Sequence, residues 1–269
     1  MGLQVKAKQQ IENLLVKTVE EKLVNYSPET EAMPFHYRLL GRDRYVMFSF
    51  VQSMNTTFGA SLWEQIAVTL AKSAGYEASQ HYKLMGEIDS KTDASIELLH
   101  RALRAGTATV SRAKEIELIA GSILPGASNK DPDMTVDLFV KIGKQENYFD
   151  ITSAKPNMKE FAALKLKLLR WTGLRLSQDK KADVWSRLAI PYNPYHPKPY
   201  ERWTLKGLYD LNAGEILIAE KFWNFVAGAD VFQDLLDTFE RAGKILRPKL
   251  DAKFKEFSNT NGRIQMGLT

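Results

Sequence analysis

The 269-residue chain contains no cysteine. Disulfides, thiolate metal ligands and a cysteine nucleophile are therefore excluded, and a cytoplasmic protein is expected. No stretch approaches the roughly 18 apolar residues that span a bilayer, and the opening MGLQVKAKQQ has no apolar segment for secretion; no membrane partner is expected. Histidine is scarce, with four residues, and His36 and His100 read as locally hydrogen-bonded rather than as ligands. Internal repeats, Gly-rich nucleotide loops, HExxH and GxSxG arrangements are also missing. That leaves no basis for a nucleotide cofactor or nucleophilic-serine chemistry.

What is present is an ordinary globular composition, 44% hydrophobic, with a mildly basic net charge of +5. That is enough for one large domain or two small ones. The charge is uneven: Lys155 to Lys206 carries twelve Lys or Arg against four Asp or Glu, a balance of +8. Such a cluster suits a polyphosphate backbone, and equally a lysine-rich solvated helix face.

The chemistry concentrates between Asp131 and Asn157. Val136–Ile142 and Tyr148–Thr152 are rich in β-branched and aromatic residues, and Gly143 to Asn147 between them is turn-forming, which predicts an antiparallel hairpin. Asp137 near the start of the first strand and Asp150 near the end of the second are then folded together, where they can share one hard cation. A carboxylate at Asp150, between Phe149 and Ile151, needs a partner, and a metal ion would be one. Lys155 follows, but strand alternation puts Thr152 on the Asp150 face and Lys155 on the other. Lys141 shares the Asp137 face and is a second candidate. Upstream, Ser61 and Glu64 have capping-box spacing at the head of a helix; Glu64 either caps it or points inward towards the acids.

Other segments predict helices over residues 3–24, 61–74, 91–105, 111–120, 158–171 and 214–227, and a further helix stopping at Gly243, its head capped by Asp230 and Gln233. Residues 33–51 read as a loop followed by an apolar run, and Ala182–Ile190 as a strand. The helix after the hairpin exposes Lys159, Lys165, Lys167 and Arg170, placed to meet phosphates. The loop Pro191–Trp203 is rich in proline and tyrosine, and its Asn193, His196, Lys198 and Arg202 are candidate readers of base edges; a surface loop packed by its own aromatics is the plainer alternative.

An acid, a second acid thirteen residues on and a nearby lysine resemble the metal core of the PD-(D/E)xK nucleases. Several segments together, MPFHYRLLG, TTFGASLWEQIAVTLA, VDLFV, YFDITSAKPN, NPYHPKPYERWT, GEILIAEKFWNF and LLDTFERAGK, resemble the type II restriction endonucleases of the TdeIII/MjaII group. That resemblance implies an α/β (α+β) fold, a central mixed β-sheet flanked by helices with additional N- and C-terminal helices. It implies a single endonuclease domain over 1–269, with about 55–206 as catalytic core and 1–30 and 207–269 as helical additions. The activity implied is Mg²⁺-dependent cleavage of double-stranded DNA at a short, GC-rich, interrupted palindrome by a C₂ homodimer, with a companion methyltransferase. Asp137 and Asp150 would hold the metal, with Lys155 and Glu64 completing the catalytic set. The family's lysine stands two residues past the second acid, where this chain has Thr152. A structure-selective nuclease, and a DNA-binding module without turnover, are the alternatives.

Overall fold

The computed structural model describes residues 2–27, 34–124, 128–129, 135–201, 205 and 207–259. These fall into two compact units, one spanning Trp63–Phe232 and the other formed by Gly2–Leu62 with the chain from Gln233 onward.

The first unit is built on a five-stranded mixed sheet in the order β1-β4-β5-β6-β7. Its strands are β1 (Glu77–Lys83), β4 (Thr135–Ile142), β5 (Gln145–Ile151), β6 (Asp183–Ile190) and β7 (Ile216–Ile218). The hairpin forms as expected, but its turn is tighter. Gly143 takes φ +60°, which only glycine adopts without strain, so pairing resumes at Ile142 and Gln145. From β5 the chain crosses through helix α7 (Met158–Gln178) into β6, which lies parallel to β5. β7 pairs parallel with β6. A two-stranded ribbon, β2 (Ile88–Asp89) with β3 (Ser128–Asn129), lies apart from the sheet.

One sheet face is covered by α5 (Ser90–Ala105), α6 (Arg112–Ser122) and α7, whose apolar residues join Tyr148, Val184 and Leu188 in the main core. On the other side α4 (Trp63–Ser73) and α8 (Glu220–Ala227) meet through Trp63 and Trp223, and Phe149 packs edge-on against Phe222 and Phe225. In the second unit α1 (Val5–Asn25) buries Ala7, Ile11, Leu15, Val19 and Leu23, a stripe four residues apart. Val19 and Leu23 pack with Phe50 and Met54 of α3 (Arg42–Thr57) and Leu246 of α9 (Phe232–Asn259).

Several expectations are corrected. Residues 34–40 and 42–57 are the helices α2 (Pro34–Leu40) and α3, not a loop and an apolar run. The expected helix over 214–227 begins as strand β7, because Ile216–Ile218 finds an open edge beside β6. Gly243 does not stop α9; a Cβ there would meet nothing within 4 Å, so the glycine rides an open side of a helix that continues through Pro248. Asp230 is not the cap: Asn224 Oδ1 accepts from the Val231 and Phe232 amides and holds Asp230 with its own NH₂.

Candidate active site

The register of the hairpin sets the site. Leu138 pairs with Phe149 and Phe139 with Tyr148, so one step further Asp137 stands opposite Asp150. The same step in the β1–β4 ladder, between the Gln80–Leu138 and Tyr82–Val136 pairs, sets His81 beside Asp137. Residues directly opposite on antiparallel strands have Cβ atoms about 5 Å apart. A histidine and two aspartates therefore line up across three strands. Asp137 Oδ2 also accepts a hydrogen bond of 2.8 Å from the Ile151 amide, which ties it to the residue after Asp150.

Glu64 reaches the same place from α4. Ser61 lies in a π-helical turn, Phe58–Leu62, and Glu64 is buried among the acids rather than folded back as a cap. Its Oε2 has no hydrogen-bond donor, although His81 Nε2 lies 3.4 Å away. Burial, and then the charges of Asp137 and Asp150, push the Glu64 carboxyl from about 4.5 to about 7. Asp137 rises to about 6, first through burial and then through Asp150, against the Ile151 amide, Lys167 and His81. His81 itself holds φ +50°, a left-handed conformation unusual for histidine inside a strand. No pattern along the chain marks it: Glu77–Lys83 is polar and alternates weakly.

Lysines separate clearly. Lys141 pairs across the ladder with Glu146, four residues from Asp137, about 13 Å along a strand. Lys155 is exposed, with its ammonium over the Tyr195 ring at 5.2 Å. Neither is brought to the acids. Lys167, from α7, is: its Nζ lies 2.8 Å from Asp150 Oδ2.

The basic region is corrected as well. Lys165 is fully buried, its Nζ donating to Glu115 at 2.7 Å and to both oxygens of Glu215 at 2.8 and 3.0 Å. Arg170 meets Asp93 and Glu97, Arg175 meets Glu146, and Arg187 is buried against Asn147. Burial pushes the Arg187 guanidinium down to about 10. Lys165 and Arg187 are thus internal, while Lys159, His196 and Lys198 are exposed. Asn193 is occupied by its own loop, its NH₂ on the Lys198 carbonyl and its oxygen on the Tyr195 amide. Tyr200 anchors the loop on the Ala154 carbonyl. Arg202 lies outside the described residues. His100 is buried with Nε2 2.8 Å from the Ala162 carbonyl of α7, the structural role expected of it.

A hard divalent cation fits this donor set. Among the described residues no three His, Cys, Asp or Glu side chains form a ready-made metal site; the residues that would hold such an ion are Asp137 and Asp150, near which the Glu64 carboxyl lies with one oxygen lacking a hydrogen-bond partner. Two carboxylates completed by water and phosphate oxygens is how Mg²⁺ is commonly held. Among the described residues no helix is long and apolar enough to cross a membrane.

The family model described as "Type II restriction endonuclease, HinfI" matches residues 3–243. No curated protein matches the chain.

Proposed function

As the chain belongs to the HinfI family of type II restriction endonucleases, it is a site-specific DNA hydrolase, and we propose that it cuts with Asp137 and Asp150 holding Mg²⁺ at the scissile phosphate. The observation that carries this reading is the placing of two aspartates opposite each other at the end of the hairpin, beside a glutamate whose oxygen lacks a donor. Such a cation polarises the phosphate and acidifies a bound water. Asp137 and Asp150 would hold it from the sheet, and the Ile151 amide fixes the Asp137 carboxylate. Glu64 and His81, 3.4 Å apart, lie beside the two aspartates.

The Asp137 and Asp150 hairpin also supports membership of the PD-(D/E)xK superfamily. The narrower likeness of its segments to the TdeIII/MjaII group supports a short, GC-rich, interrupted palindrome as the target. A palindrome is cut on both strands by two sites related by a two-fold axis, which makes the working form a C₂ homodimer. A methyltransferase of the same specificity, in the same cytoplasm, completes the system. Lys155, Lys159, His196, Lys198 and Arg202 are assigned to flanking phosphates and base edges, and Asn193 to shaping the loop from within.

Digestion of a DNA of known sequence in Mg²⁺, with the ends mapped, tests this. Discrete fragments ending at one recurring short sequence are expected. Cuts that follow DNA structure instead of sequence would replace the reading with a structure-selective nuclease, and binding without cutting with a DNA-binding module.

A further inference from the structure

We propose that Lys167, carried by α7, is a catalytic residue that contacts the scissile phosphate beside Asp150; this rests on the endonuclease reading above. Two ion pairs join α7 to β5: Arg175 Nε to Glu146 at 2.5 Å and Lys167 Nζ to Asp150 at 2.8 Å. Eight helical residues separate Lys167 from Arg175, about 12 Å at 1.5 Å per residue, and four strand residues separate Glu146 from Asp150, about 13 Å. The spacings match, so pairing at one end fixes the other. The buried Thr172 and Ser186 hydroxyls, 3.0 Å apart, hold the same helix to β6. Lys167 is therefore delivered to Asp150 by the register of a packed helix, not by the chance reach of a surface side chain.

The two pairs differ in their surroundings. Glu146 also accepts from the Tyr148 hydroxyl, and nothing ties that end to the acids. Lys167 enters a row that already contains Asp137, Asp150 and Glu64. Its side chain is 22% exposed, unlike that of Lys165, while its ammonium lies 5.0 Å from the Trp171 ring centroid. Lys165, two residues earlier, shows the contrast: wholly buried between two glutamates, it has no route to a substrate. The position on the Asp150 side of the chain two residues on is Thr152, whose amide continues the pairing with Ala189. It offers no cation.

In the reaction a water oxygen forms a bond to phosphorus and one ester P–O bond breaks. One proton of that water ends on the departing alcohol and the other goes to solvent, leaving a phosphate monoester. Negative charge grows on the phosphoryl oxygens in between. A fixed ammonium at that point stabilises this charge more than it stabilises the ground state, which is what accelerates the step.

The test compares wild type with Lys167→Met, which keeps the stem against Trp171, and Lys167→Gln, which keeps a polar head. Three quantities are measured: the single-turnover cleavage constant at saturating enzyme in Mg²⁺, DNA affinity by fluorescence anisotropy in Ca²⁺, and Mn²⁺ affinity by titration calorimetry. For both variants a fall of about 100-fold or more in the cleavage constant is expected, with DNA affinity within about threefold. Mn²⁺ affinity should be unchanged or tighter, because a cation has been removed from beside Asp150. Cleavage within about threefold of wild type in either variant would overturn the proposal. So would a loss matched by an equal loss of Mn²⁺ or DNA binding, which would make Lys167 structural. If wild type leaves DNA intact, the endonuclease reading fails; if wild type cuts and the variants cut as well, only the role of Lys167 fails.

Discussion

Glu64 and Asp137 are carboxyls whose burial, and then the negative charges beside them, oppose their ionisation, and this gives them a recognisable pH signature. Both carry raised values in the fold, about 7 and about 6 against ordinary values of 4.5 and 3.8. The folded state therefore holds these protons more tightly than the unfolded chain. Their contribution to stability is present below about pH 4 and is lost as the pH rises through 6 and then 7. The metal-free protein is expected to lose melting temperature between pH 5 and pH 8, and Glu64→Gln to lose less. A relative gain of at least about 1 kcal/mol for the variant at pH 8 corresponds to about 2–4 °C. Scanning fluorimetry of both proteins across that range checks this; parallel curves would contradict it. Residues of this kind were unequally legible. Asp137 and Asp150 could be found because aspartate is rare in strands and a hairpin brings its two ends together. Glu64 remained open between a cap and the site, and packing decided it. His81 gave no sign, and Lys167 stood out only as one of four basic residues on a helix face, since their positions depend on the β1 register and on how α7 seats against β5.

Among elements, α7 carries most of the organisation. Its buried Lys165 sits between Glu115 of α6 and Glu215 ahead of β7, and burial raises the Glu115 carboxyl even with that partner present. Removing the ammonium leaves two carboxylates without their cation in the core. Lys165→Met is expected to cost about 3–5 kcal/mol, read as a lower urea midpoint with an unchanged slope; a cost under about 1 kcal/mol would contradict the account. The hairpin, α5, α6 and β6 were legible because their periodicity and their breaks agree. β1 was not, because its edge position leaves most of its side chains exposed and its alternation faint. β7 was mistaken for the head of a helix because Ile216, Leu217, Phe222 and Phe225 suit a helical stripe equally well. Only the open edge of β6, a partner distant in sequence, decides for a strand.

For the whole molecule, the positive charge of Lys155 to Lys206 predicted a DNA-facing surface, yet Lys165 and Lys167 pair with the buried acids Glu115, Glu215 and Asp150, and composition cannot tell an internal ion pair from an external one. The family match over residues 3–243 supplies what the charge count could not. The proposed cutting of both strands at a palindrome implies that sedimentation on cognate DNA will show two 30.5 kDa chains per duplex. Supercoiled plasmid should then become linear with little nicked intermediate; steady accumulation of the nicked form by a monomer would contradict the two-fold arrangement. The most direct measurement compares wild type and Asp150→Ala on one cleavable plasmid in Mg²⁺. A fall of about a thousandfold or more in cleavage rate with unchanged circular dichroism is the expected result, and cleavage within about tenfold of wild type would remove Asp150, and the paired-aspartate cation site with it.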